Sequence, residues 1–314
     1  MSDVSQNSAI VMDDEIDLKE LFTALWDGKL IISVITGIAA ILSVIVALSL
    51  PNVYIASALL APAESSGGGL SGLMKQYGGL ASLAGVSLPG GEEGSRAQLG
   101  MELMKSRAFI RDFVERHDIL PELMAIESWE QTSGDVLFDG EVYDAATKTW
   151  VREVNPPQLP KPSAQEAHKS FTEILGISED KLTGYVSVSI EHQSPVVAAQ
   201  WVNLLVEDVN ATVRMQDVDE SIKSIEYLKQ QAAKTSLADL QTVFFELIQS
   251  QTETVMLAEV RPEYVFKTID PAVVPEEKSK PSRALICVLG TLLGGILGIV
   301  IVLIRRYASS EADA

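Results

Sequence analysis

The run LIISVITGIAAILSVIVALSL, Leu30 to Leu50, decides how the rest of this chain is read. It holds about 21 residues without a charge, and a helix of that length, rising about 1.5 Å per residue, matches the roughly 30 Å hydrocarbon core of a bilayer. A second run, ALICVLGTLLGGILGIVIVLI from Ala284 to Ile304, has the same length and the same lack of charge. A buried core helix of a soluble protein is the competing reading, but such cores rarely use runs this long and charge-free. A cleaved signal peptide fits the first run poorly. The apolar stretch is too long, it starts far from the N-terminus, and Pro51-Asn52-Val53-Tyr54 is no small-residue cleavage site. Two membrane spans at 30–50 and 284–304 therefore bracket a body at 51–283, leaving tails at 1–29 and 305–314.

Lys19 and Lys29 precede the first span and no Lys or Arg follows it until Lys75, which places the N-terminus in the cytoplasm. The second span argues weakly the other way, with Arg305 and Arg306 outside it but Lys278, Lys280 and Arg283 on the body side. The first helix usually dominates, and long loops cross regardless of charge. Both termini are thus expected in the cytoplasm, and the body in the periplasm of a cell with two membranes. Most of the chain's net charge of −19 lies in that body. It has no basic stripe with interleaved aromatics, so nucleic acid is excluded as the expected partner. The single cysteine, Cys287, lies inside the second span and reads as a packing residue.

The body reads as an α/β base with a helical extension. Val53–Leu60 is expected as a strand, followed by a Gly-rich stretch, Gly67–Gly100, with no phosphate-loop pattern. That stretch reads as a mobile loop or as short small-residue helices facing a neighbouring subunit. Apolar spacing predicts a helix over Met101–His117. Val136–Phe138, Asp139-Gly140 and Glu141–Tyr143 read as a hairpin, with Trp150–Val154 as a third strand. Four prolines stiffen a linker at 155–162. Ala164–Leu175 is expected as a helix and Gly184–Ile190 as a strand. Ser194-Pro195 then opens a helix, with Ser as N-cap and Pro at its first position.

From Val196 to Arg261 the chain contains neither Gly nor Pro. The extension is therefore placed at about 195–261. Val197, Trp201, Leu204, Leu205 and Val209 are expected to pack on the sheet. Ile222, Ile225, Leu228 and Ala232, then Leu240, Phe244, Leu247 and Gln251, form a stripe that reads as the seam for another helix. Lys234-Thr235-Ser236 interrupts that stripe, and Ser236 with Asp239 resembles a helix start, so a bend or hairpin is expected near 233–237. Tyr264–Ile269 is the strand that returns the chain to the sheet.

In the second span Gly290, Gly294 and Gly298 recur every fourth residue, with Gly295 beside them, and the first span has Ser33 and Gly37 at the same spacing. Such stripes let helices approach closely in lipid, between the two spans or between copies. No catalytic constellation emerges. His117, His168 and His192 are scattered, there is no metal-type Cys/His cluster, and no carboxylate pair stands out in an acidic, solvated body. No catalytic, cofactor or metal site is expected, so an enzyme is the weaker class. A two-span sensor or polysaccharide-export adaptor is the rival, with Ile16–Trp26 as an amphipathic helix for a cytoplasmic partner.

Several segments resemble the Wzz-type chain-length determinants, the polysaccharide co-polymerases. They are the lead-in EIDLKELFTALWDGK (Glu15–Lys29), YIASALLAP (Tyr54–Pro62) after the first span, and the helix opening Ser194-Pro195 with Ala198, Ala199 and Asn203. The exit TIDPAVVP (Thr268–Pro275) belongs with them, where Pro271, Pro275, Pro281 and Arg283 lead to the second span. The resemblance implies an α+β protein of a Gram-negative inner membrane, with two transmembrane helices flanking a periplasmic base and a long helical arm. It further implies a non-enzymatic regulator of surface polysaccharide length, most often lipopolysaccharide O-antigen. Such a protein forms a homo-oligomeric ring and acts with a membrane polymerase on lipid-linked polysaccharide in the bilayer. The kinase-bearing branch needs a cytoplasmic nucleotide site, and the short stretch after Ile304 sets this chain apart from it by expectation.

Overall fold

The computed structural model describes residues 25–63, 92–235 and 237–312. In chain order the described elements are α1 (Lys29–Ser49), β1 (Tyr54–Pro62), α2 (Glu92–Lys105), α3 (Arg107–Arg116), α4 (Leu120–Met124), β2 (Ile126–Trp129), β3 (Val136–Phe138), β4 (Tyr143–Asp144) and β5 (Thr149–Trp150). They continue with α5 (Ala164–Ile174), β6 (Leu175–Glu179), β7 (Val186–His192), α6 (Pro195–Lys234), α7 (Ala238–Val260), β8 (Phe266–Asp270) and α8 (Arg283–Ala312). Two compact units result: α1 with α8, and the α+β body Asn52–Lys280.

The body is built on an antiparallel sheet of order β6-β7-β1-β8. Tyr54 stands opposite His192 and Leu60 opposite Val186. Side chains alternate across a strand, so Ala56, Ala58 and Leu60 on β1 share one face with Val186, Val188 and Ile190 on β7. All six are buried. The first half of α6 covers that face with Ala198, Trp201, Val202, Leu205 and Val209, while Phe109, Ile110 and Phe113 of α3 and Phe171 of α5 complete the core.

Local signals start the helices. Ser194 Oγ accepts from the Val197 N–H with Pro195 at the first position of α6, and Ser163 with Glu166 forms a capping box on α5. At the body's ends, the Val53 N–H donates to the Lys280 carbonyl at 2.9 Å and the Ser279 N–H to the Val53 carbonyl at 2.9 Å. The two chain ends therefore leave the body side by side.

Several expectations need correction. The expected helix Met101–His117 is two helices, because Ser106 turns extended and caps α3 through the Phe109 N–H. The Gly-rich stretch is helical from Glu92 onward; its portion at 64–91 lies outside the described residues, as does most of the Ile16–Trp26 segment. Asp139-Gly140 is a turn, but not within one hairpin. β3 pairs back to β2, and β4 pairs forward to β5, so the turn joins two small hairpins. Trp150–Val154 is not a third strand; β5 is only Thr149–Trp150. β6 was not foreseen, since Leu175 ends α5 by donating its N–H to Phe171 and begins the strand without a break.

Candidate functional surfaces: the paired spans and the helical arm

Both α1 and the first part of α8, Arg283–Arg305, are long and apolar enough to cross a membrane. They pack together through the glycines of α8. A methyl group added at Gly290 would overlap the Ser43 side chain, and one at Gly294 would overlap Ala39. At Gly298 it would fall 3.1 Å from the Ile32 Cα. Residue numbers rise on α8 as they fall on α1, so the helices run antiparallel. The matching face of α1 is Ile32, Thr36, Ala39 and Ser43, not the expected Ser33 and Gly37. Those two are exposed, and a methyl at Gly37 would meet nothing within 4 Å. The reason is rotation: Ser33 and Gly37 each follow a contact residue by one position, which is about 100° around a helix. Each span keeps a broad apolar face uncovered, including Leu30, Ile41 and Ile45 on α1 and Leu289, Leu293 and Ile296 on α8.

The arm is a hairpin of the distal part of α6 and α7. The chain leaves α6 at Thr235, and α7 begins at Ala238 behind Leu237, which provides no side-chain cap. Ser236 itself lies outside the described residues. Gln241 closes the turn, its Nε2 donating to the Thr235 carbonyl at 3.0 Å and the Ala232 carbonyl at 3.4 Å. These acceptors are the end carbonyls of α6 that have no partner within the helix. The covered stripe is Ser221, Ile225, Leu228 and Ala232 on α6, with Gln241, Phe244, Ile248, Gln251 and Ala258 on α7.

Of the expected stripe, Ile225, Leu228, Ala232, Phe244 and Gln251 lie on this covered side. Ile222, Leu240 and Leu247 do not: each neighbours a covered position and sits about 100° off it, on the outer surface. The seam is partly polar, and the larger apolar side chains point out. Tyr227 (62% exposed), Phe245 (61%) and Met256 (64%) join Ile222 there. Two helices alone can cover only one stripe on each other, so this outer face calls for neighbours.

At the foot of the arm two asparagines on α6, seven residues apart, hold the returning chain. Asn210 Oδ1 accepts from the Val265 N–H (2.7 Å) and the Phe266 N–H (2.9 Å), and its Nδ2 donates to the Phe266 carbonyl at 3.0 Å. Asn203 brackets Ala272 likewise, accepting from its N–H at 3.1 Å and donating to its carbonyl at 3.0 Å. Asn210 thus stands in for a further strand on the sheet's edge. From Pro271 onward the exit runs irregularly past Pro275 and Pro281 to Arg283, where α8 begins. Sequence reading missed the clamps; Asn210 is an amide on the buried apolar face of α6, while Asn203 is exposed and leaves no such signal.

The histidines serve structure. His117 Nε2 meets Asp208 Oδ2 at 2.9 Å beside Arg116, and His168 Nε2 meets the Lys105 carbonyl at 3.0 Å. His192 is buried: its Nδ1 accepts from the Ser194 N–H at 3.0 Å, so Nε2 carries the proton and donates to the Glu122 carbonyl at 3.1 Å. Among the described residues no three His, Cys, Asp or Glu side chains gather as a metal site.

Burial lowers the His192 pKa from its ordinary 6.5 despite its bonds to Glu122 and Ser194. Burial also raises that of the nearby Glu122. The unfolded chain then takes up a proton near pH 6.5 that folded His192 refuses. Its contribution is present above about pH 6.5 and is lost as pH falls toward the folded value, by at most about 1.4 kcal/mol per pH unit. Glu122 works oppositely, gaining stability as pH falls toward 4.5. Melting temperatures at pH 7.5 and 5.5 should therefore fall further with acid in the wild type than in His192→Gln; equal slopes would contradict the assignment.

Residues 14–117 match the family model described as chain length determinant protein, Wzz. Residues 239–307 match one described as G-rich domain on putative tyrosine kinase, which here spans α7, β8, the exit and the second span. The chain thus carries a segment similar to a Wzz chain length determinant domain toward its start and one similar to the G-rich domain toward its end. No curated protein sequence matches it. Among solved structures it is similar to a full-length bacterial polysaccharide co-polymerase, at 14% identity and a TM-score of 0.38, covering 94% of this chain and 99% of that one. It is also similar to a fragment of WzzB, a polysaccharide co-polymerase from Salmonella Typhimurium, at 12% identity and a TM-score of 0.27, covering 73% of this chain and all of the fragment.

Proposed function

We propose that this protein sets the length of a surface polysaccharide, lipopolysaccharide O-antigen being the first expectation, without catalysing its polymerisation. It does so as a homo-oligomeric scaffold on the periplasmic side of the inner membrane, beside a membrane polymerase and its lipid-linked polysaccharide. The family match over the first apolar helix and the start of the base, residues 14–117, carries this reading. Three features support it. Two antiparallel helices of membrane-crossing length suit a topology with both tails on one side of a bilayer and the body on the other. The body's ends, joined at Val53 and Lys280, suit such a double tether. The arm's apolar outer face suits lateral neighbours, which a closed ring supplies without leaving an open end. Deleting the gene and running the surface polysaccharide on a gel tests the proposal. The preferred length class should vanish and return on re-expression; an unchanged distribution would refute it.

A further inference from the structure

Beyond β5, the loop 152–160 encloses an open cavity of about 570 Å³ lined by Arg152, Glu153, Val154, Asn155, Gln158 and Pro160. Its wall is built. Arg152 Nε donates to the Pro160 carbonyl at 2.6 Å and Nη2 to the Leu159 carbonyl at 2.9 Å, and Nη2 also meets Glu166 Oε1 at 2.8 Å. The Arg152 side chain is only 16% exposed, and the Gln158 N–H closes the loop on the Asn155 carbonyl at 3.0 Å. Glu166 is itself fixed in the capping box of α5, so the guanidinium is held from two sides.

Around this fixed centre the side chains of Glu153, Asn155 and Gln158 are exposed, and no hydrogen bond to another described residue is found for them. Each carboxamide sets a donor beside an acceptor and the carboxylate offers two acceptors, a set that vicinal hydroxyls and acetamido groups can satisfy. Charge narrows the class further. Arg152 is neutralised by Glu166, so Glu153 leaves the cavity negative within an acidic body, and an anionic sugar would be repelled. Exposed Val151 and Leu159, next to Arg152 and Pro160 in the chain, offer apolar surface for the C–H faces of a sugar ring. The volume is within the range of small-ligand sites.

We infer that this cavity is a binding site for one or two neutral sugar units of the polysaccharide, gripped by Glu153, Asn155 and Gln158 around the fixed Arg152. The inference rests on the proposed function and names where the base touches polymer. The probe is a set of short oligosaccharides released by mild acid from the source cell's own surface polysaccharide. Saturation-transfer NMR with the full chain in nanodiscs reads their binding. The wild type should transfer saturation to neutral residues, and Asn155→Ala with Gln158→Ala should bind roughly tenfold more weakly. Both positions are exposed, and an unchanged melting temperature shows that the variant is folded. No transfer in the wild type, equal transfer in the variant, or transfer confined to acidic sugars would overturn the site. Failure of the length-control reading is told apart by the deletion gel, which does not depend on this cavity.

Discussion

Replacing Asn210 with leucine is expected to remove several kcal/mol from the stability of the body, the largest loss from any single polar side chain in it. The amide is buried and serves three main-chain groups at once, the N–H of Val265, the N–H of Phe266 and the Phe266 carbonyl. Leucine fills a similar volume but offers no polar atom. Each buried main-chain group left without a partner costs about 1–3 kcal/mol. Against a typical stability of about 5–15 kcal/mol, that is enough to release β8 and the exit behind it. Urea unfolding of the full chain in detergent should show a large fall in midpoint, with Asn203→Leu giving a smaller one at its less buried site. A fall in Asn210→Leu no larger than about 0.5 kcal/mol, the ordinary scale of a surface substitution, would contradict the clamp.

Gly294→Leu is expected to part the two spans. A methyl there would overlap the Ala39 Cβ, which cannot move without its backbone, so even alanine has no room unless the helices shift. In lipid the attraction between helices comes from close packing, and a forced separation removes it along the whole contact. The reporter is a disulfide between Thr36→Cys and Gly295→Cys in a Cys287→Ser background. A Cβ at position 295 lies 3.7 Å from the Thr36 Oγ1, within reach of a bridge. The crosslink should form readily with Gly294 present and fall to background with leucine. Equal crosslinking in both would show that the glycine stripe does not hold the pair. Gly37→Leu is the control and should change nothing in this pairing, since that position is open.

How far the sequence could be read follows from which signals are local. The two long apolar helices were legible because a charge-free run of that length suits a membrane-crossing helix, and Ser194-Pro195 because capping is decided within a few residues. Of the core strands, β7 was legible from alternation in VSVSI, and β1 from its place directly after the first apolar run. Rotational phase was not. Ser33 and Gly37, and likewise Ile222, Leu240 and Leu247, have the right spacing but the wrong side, because spacing defines a stripe and only the partner defines which stripe is covered. The covered stripe of the arm mixes Ile225, Leu228 and Phe244 with Ser221, Gln241 and Gln251, so apolar character alone did not separate it from the outer surface. Strand pairing failed for a similar reason: Asp139-Gly140 announces a turn but not which strands it serves. The asparagine clamps act over more than 50 residues of chain, a range at which no local pattern speaks.

The account depends on where the body lies. Leu182, 96% exposed at the tip between β6 and β7, can be replaced by cysteine in a Cys287→Ser chain, leaving one thiol for labelling. A membrane-impermeant maleimide is then added to cells whose outer membrane has been opened and whose inner membrane is intact. The prediction is full labelling of Leu182→Cys before the inner membrane is broken. Labelling only after lysis would put the body in the cytosol and contradict the account.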